Sequence, residues 1–120
     1  MKKFIFTLLL VLCLTSPCIA AEWYWIGNDN EGDSCFIDNS SVSKDQYYAK
    51  VWIKINHPDS SYYVARFILN HDDYTLAVLS YAVYDNNGNM ISSKDIPDYN
   101  WISIVPESLG ESIYHNIWGY

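Results

Sequence analysis

Trp101–Tyr120 reads WISIVPESLGESIYHNIWGY, and the rest of the chain has to fit this stretch. A short apolar run stops at Pro106, which cannot continue a ladder of backbone hydrogen bonds. Ser108 and Glu111 follow with the S-x-x-E spacing of a capping box, the serine side chain taking a free first-turn N–H and the glutamate reaching back to the cap's own N–H. Leu109, Ile113 and Ile117 then recur every fourth residue with Tyr114 and Trp118 beside them, so the predicted helix has one broad apolar face that must be covered. What precedes it is almost entirely strand-like. The economical solution is an α+β domain, an antiparallel sheet of about six strands with this C-terminal helix packed on one face.

Working back from the helix, Tyr99–Ile104 reads as the strand that feeds it, and Lys94–Asp98 as a connection interrupted by Pro97. Asp85, Asn86, Asn87, Gly88 and Asn89 form a hairpin signal, Asn-Gly supplying the positive φ angles of a tight turn, with Met90–Ser93 returning from it. Tyr62–Leu69 and Tyr74–Tyr84 are apolar at both parities, which predicts central strands covered on both sides. Arg66 is the exception within them and is expected to reach a strand edge or an acidic partner. Tyr47–Ile55 is amphipathic: Ala49, Val51, Ile53 and Ile55 make one face, and Tyr48, Lys50, Trp52 and Lys54 the other. The first belongs under the helix. The second is basic and aromatic in an acidic protein, a composition that suits recognition of a protein or a glycan, and it is the candidate partner-contact stripe.

Earlier still, Trp23–Ile26 is an aromatic strand, Gly27–Asp33 a polar turn, and Ser34–Asp38 a second short strand. Asp29, Glu31 and Asp33 suggest calcium by composition, but the turn lacks the glycine and the distant bidentate glutamate of an EF-hand loop and reads as a solvated acidic turn. Residues 1–20 read as a secretory signal peptide: Lys2 and Lys3 make a basic start, Phe4–Leu14 an apolar run, and Cys18, Ile19, Ala20 and Ala21 a small-residue cleavage region, with cleavage after Ala20 or Ala21. A lipid anchor on Cys18 is disfavoured, because Pro17 stands where a small residue is wanted. Residues 21–120 then form one domain of about one hundred residues, with no transmembrane segment after signal cleavage. Processing removes Lys2 and Lys3 and leaves five basic residues against fourteen acidic, a formal net of minus nine, which disfavours nucleic acid and anionic membranes as partners. Cys35 is left without a second cysteine in the mature chain, either buried or available for intermolecular pairing, and with Phe36 and Ile37 beside it on an expected strand burial is favoured.

The segments WYWIGNDN, FIDNSSV, AKVWIKI and YDNNGNMISS, followed by Trp101, Pro106, Ser108, Gly110 and Glu111 and the apolar helix, together resemble the surface-adhesin protein E family. The resemblance covers nearly the whole mature chain. It implies the same sheet-and-helix fold, an exported and surface-associated protein, binding of host extracellular-matrix or serum proteins, and possible homodimers. It also implies a cysteine in the strand before the hairpin and another at the chain end, yet the corresponding regions here read Asn70–Tyr74 and Trp118–Tyr120 without one. Such a link contributes roughly 2–4 kcal/mol, so Trp118 and Tyr120 are expected to hold the helix by packing alone.

Catalysis finds little in the sequence. His57, His71 and His115 fall in a turn, a loop and the helix with no shared spacing, and only His71, with Asp72 and Asp73, has carboxylates beside it. A hydrolase built on His71 and Asp72 is the weakest of three readings. There is no phosphate-cradling glycine loop, nucleophile elbow or Cys-x-x-Cys, so no enzyme activity, metal or cofactor is expected. The leading expectation is an exported adhesin-like binding module of the bacterial cell surface. The alternative is a periplasmic or envelope-associated interaction domain of the same fold that never meets a host.

Overall fold

The computed structural model describes residues 21–119. The signal-peptide reading and the packing expected of Tyr120 lie outside those residues. Strands β1 (Trp23–Asn28), β2 (Ser34–Asp38), β3 (Ser43–Lys44), β4 (Tyr48–Asn56), β5 (Tyr62–Asn70), β6 (Thr75–Tyr84), β7 (Met90–Asp95) and β8 (Ile102–Ser103) form one antiparallel sheet, and α1 (Leu109–Trp118) lies across it. The sheet runs β1-β2-β4-β5-β6-β7, with β3 beside β4 and β8 beside β6. The expected fold class is therefore the observed one.

Strand parity decides what the helix covers. Val51 pairs with Phe67 and Ile53 with Ala65, so alternate residues of β4 and β5 share a face. On that face Ile37, Ala49, Val51, Ile53, Ile55 and Leu69 are buried with Ile113 and Ile117 of α1. The helix period of 3.6 and the strand period of 2 meet there, and each element buries what it could not leave in water. Cys35 belongs to this core at 1 % exposure, as expected. Burial, and after it the charges of Asp29 and Asp33, push its thiol up to about 11.

Two devices seat the helix. Ser108 Oγ accepts from the Glu111 N–H at 3.3 Å, but the Glu111 carboxylate accepts from the Glu107 N–H at 3.4 Å and not from Ser108. The Ser108 N–H already donates to the Val105 carbonyl, which is why the reciprocal half of the expected capping box moves back by one residue. The other Glu111 oxygen takes the Tyr74 hydroxyl at 3.0 Å, fastening the first helical turn to the β5–β6 hairpin. At the far end Trp118 stacks on His71, with centroids 4.6 Å apart and planes 10° apart, packs on Tyr114 at 5.0 Å, and donates from its indole N–H to the Asp45 carbonyl. Lys44 Nζ also caps the last turn of the helix, donating to the Ile117 carbonyl. The His71–Trp118 stack joins the two regions in which the family resemblance implies a disulfide.

The strand expected over Tyr99–Ile104 is a correction. Only Ile102–Ser103 pairs, against Thr75 and Leu76. Leu79 is an extra residue between the Val78 and Ser80 pairings, and its carbonyl accepts from Ile96. This bulge divides the outer edge of β6, with Ser80–Tyr84 taken by β7 and Thr75–Leu76 left for β8. Between the two, Trp101 lifts away to within 6.3 Å of Tyr48, with Tyr99 edge-on to it at 5.8 Å. Coverage of β5 and β6 on both sides is also only partly observed. Away from the helix, Ile68 and Ala77 are buried, but Tyr62, Val64 and Tyr84 at the other end of the face are only half-buried.

Candidate functional site

Because α1 occupies one face of the sheet, the other face of β4 points away from the core along its whole length. Tyr48, Lys50, Trp52 and Lys54 all lie on it, opposite Asn70, Ile68, Arg66 and Val64 of β5. The structure separates them into two groups. Tyr48 sits beneath Trp101, and Lys50 lies beside β3, where it pairs with Ser43. Trp52 and Lys54 belong to a different neighbourhood at the uncovered end.

There Trp23 from β1, Trp52 from β4, Val64 from β5 and Tyr84 from β6 line an open hollow of about 350 Å3, closed at one side by Asp38 and Ala21. Tyr62 and Tyr84, directly paired across β5 and β6, stack with centroids 4.7 Å apart and planes within 9°. Lys54 Nζ lies 4.5 Å from the Tyr62 ring centre and 5.8 Å from that of Trp23, so the ammonium is held over two π-faces. Arg66 lies within a central strand, as expected, between Trp52 and Ser80, and the acidic partner offered as one alternative for it is not found among the described residues. Among the described residues the one ion pair is His57 with Asp33, so Lys50, Lys54 and Arg66 face outward without carboxylate partners.

Asp38 fixes this end of the sheet. Its Oδ1 accepts from the Glu22 N–H at 2.9 Å, the Ser40 N–H at 3.1 Å and the Ser40 hydroxyl at 2.6 Å. Burial works against its charge, but the Ser40 hydroxyl and the Glu22 and Ser40 N–H groups outweigh it, and the carboxyl lies below its ordinary value. The bond to Glu22 anchors the residue before Trp23 and so sets where that ring enters the face.

Trp23, Tyr62, Tyr84 and Arg66 are the members of this surface that the sequence reading assigned elsewhere. Their signal was parity: Tyr62, Val64 and Arg66 are alternate residues, and the pairing that places them beside Trp52 and Lys54 is a tertiary fact. The acidic turn differs in detail from its reading. Asp29 and Glu31 are exposed, but Asp33 is buried and meets His57 Nδ1 at 2.9 Å. Asp29, Glu31 and Asp33 have oxygens within 4.8 Å of one another and are the residues that could hold a divalent cation. Asp29 Oδ1 already accepts from the N–H groups of Glu31 and Asp33. His71 is not poised over Asp72, because its Nδ1 lies 3.0 Å from the Gln46 carbonyl and its ring is stacked on Trp118. A groove of about 480 Å3 beside the helix is lined by Trp25, Glu107, Glu111 and His115, but Glu111 there is occupied in seating the helix.

The domain is thus one helix on one sheet, whose second face carries rings and outward cations. The chain matches the surface-adhesin protein E family over residues 23–117 and belongs to it. Membership points to a surface-exposed, adhesin-like domain. A comparison with curated proteins gives no match. Among the described residues no helix is long and apolar enough to cross a membrane.

Proposed function

We propose that this protein is exported by a cleaved signal peptide and acts at the bacterial cell surface as an adhesin-like module, binding an extracellular glycoprotein of the matrix or serum type. The contact surface is the sheet face opposite α1, the expected stripe of Tyr48, Lys50, Trp52 and Lys54 enlarged by Trp23, Tyr62, Arg66 and Tyr84. One observation carries the reading: Lys54 is held over Tyr62 and Trp23 beside an open hollow, without a carboxylate partner among the described residues. Aromatic rings and arginine are the residue types that dominate binding energy at protein surfaces. Family membership supports the adhesive role.

The test is an antibody to the mature domain applied to cells before and after the outer layer is permeabilised, followed by adhesion of intact cells to immobilised matrix and serum proteins. Labelling of intact cells, and adhesion lost in Lys54→Glu with melting unchanged, is the expected result. Labelling only after permeabilisation would sink the surface reading and leave an envelope-associated interaction domain of the same fold.

A further inference from the structure

Resting on the proposed binding role of this face, we propose that the group it recognises is an acidic sugar, a pyranose ring carrying one carboxylate at the end of a glycan chain on the partner. Three features of the hollow favour that chemistry. First, its walls are flat. Trp23, Trp52 and Tyr84 present rings at an open depression, and the C–H face of a sugar ring packs against an indole or phenol ring. An extended peptide lacks such a face. Nor can a peptide add itself as a strand at this hollow, because β5 lies between β4 and β6 and β4 between β5 and β2, so neither is an edge strand.

Second, the cations surround the same spot. Lys54 is the direct cross-strand neighbour of Val64 on the floor of the hollow, and Arg66 is two residues along β5 from Val64 and directly opposite Trp52. A carboxylate on a ring seated against Trp52 lies within reach of both. The acidic total of the protein does not cancel this attraction, because charges beyond about 8 Å are largely screened at physiological salt. The nearby acidic groups on this face are Asp38 and, by register across Ser80, Asp95 of β7.

Third, the hollow contains an acceptor as well as cations. Asp38 lines the hollow, and its carboxylate, whose Oδ1 accepts from Glu22 and Ser40, is an oxygen acceptor at the rim. A sugar hydroxyl donates to such an oxygen. Rings, two cations and one carboxylate acceptor therefore match a ligand that is flat on one side, hydroxylated at its edge and singly anionic.

The experiment is titration of the purified mature domain with sialyllactose, with lactose, and with a short poly-glutamate peptide, followed by NMR shifts of the indole N–H signals. Sialyllactose is expected to shift the Trp23 and Trp52 signals saturably, with lactose at least tenfold weaker. Lys54→Glu and Arg66→Gln are each expected to weaken sialyllactose about tenfold with unchanged melting, because each removes one charge partner without touching the core. Equal binding of lactose and sialyllactose, no response to either, or an unchanged affinity in both variants would overturn the proposal. Tighter binding of poly-glutamate than of sialyllactose would also overturn it, in favour of a peptide ligand. If no sugar binds but cell adhesion still depends on Lys54, the recognition of acidic sugar fails and the adhesive role of the face stands.

Discussion

Trp118→Ala should unfasten the C-terminal half of the helix, and the structure sets the size of the effect. The indole stacks on His71 at 4.6 Å, packs against Tyr114 at 5.0 Å and donates to the Asp45 carbonyl at 3.3 Å. Aromatic pairs are worth about 0.5–1.5 kcal/mol each beyond the area they bury, and a net hydrogen bond about 1 kcal/mol. Because Trp118 is only half-buried, the loss falls below the roughly 3–5 kcal/mol of a fully enclosed Trp→Ala change, and we expect about 2–3 kcal/mol. That is comparable to the roughly 2–4 kcal/mol of a disulfide, the link implied for this family and absent here. For a domain of this size it lowers Tm by roughly 10–20 °C. Thermal and urea unfolding followed by circular dichroism measure it, with an unchanged urea slope showing that stability alone has moved. Trp118→Phe should keep the stack, lose the N–H bond and cost about 1 kcal/mol. A double-mutant cycle with His71→Ala should return a coupling of about 1 kcal/mol. A loss below about 1 kcal/mol for Trp118→Ala, or no coupling to His71, would refute the view that this stack holds the helix to the sheet.

Three further expectations rest on single geometric facts. A Cβ added at Gly110 would lie 2.8 Å from Leu76 Cδ2, so Gly110→Ala should lower stability despite a gain in intrinsic helix preference of about 1 kcal/mol, and the loss should shrink in a Leu76→Ala background; equal effects in both backgrounds would contradict the packing argument. Cys35, buried and with its thiol pushed up to about 11, should resist maleimide in the folded protein at about pH 8 and react only on unfolding, and rapid labelling of the native state would count against its burial. Asp38 lies below its ordinary carboxyl value in the folded chain, so its contribution to stability is fully present above the unfolded value of about 3.9 and is lost as pH falls through the folded value. The stability gap between wild type and Asp38→Asn should accordingly be open at neutral pH and close in acid, and a gap independent of pH would show that the charge is not what anchors Glu22 and Ser40.

Much of the fold can be read directly from residue order, because each element carries its own local physics. Four-residue spacing from Leu109 to Ile117 specifies a helix with one face to bury, and strict alternation from Ala49 to Ile55 supplies the face that buries it. Asn87-Gly88 marks a turn whatever surrounds it, and Gly88 has φ +83°, although Asn87 does not take the positive φ expected of it, the turn closing instead through the Gly88 N–H to the Asp85 carbonyl. The burial of Cys35 is legible in the same local way, from Phe36 and Ile37 beside it on an expected strand. These are short-range statements, and a short-range code suffices for them.

The rest depended on pairing. Alternation in β4 separated Trp52 and Lys54 from the core, but only the register between β4, β5 and β6 brings Tyr62, Arg66 and Tyr84 to their side, and only the β1–β2 ladder with the Asp38 anchor brings Trp23. With Leu79 bulged and bonded to Ile96, Tyr99–Trp101 stays outside the ladder. His71 beside Asp72 suggested a base near carboxylates, whereas its ring had been claimed by Trp118, far away in sequence. Sequence alone therefore determined which faces this protein has, since hydrophobic period is local. Tertiary structure decided what stands on the open face, since residues distant in sequence become neighbours only when strand register brings them together.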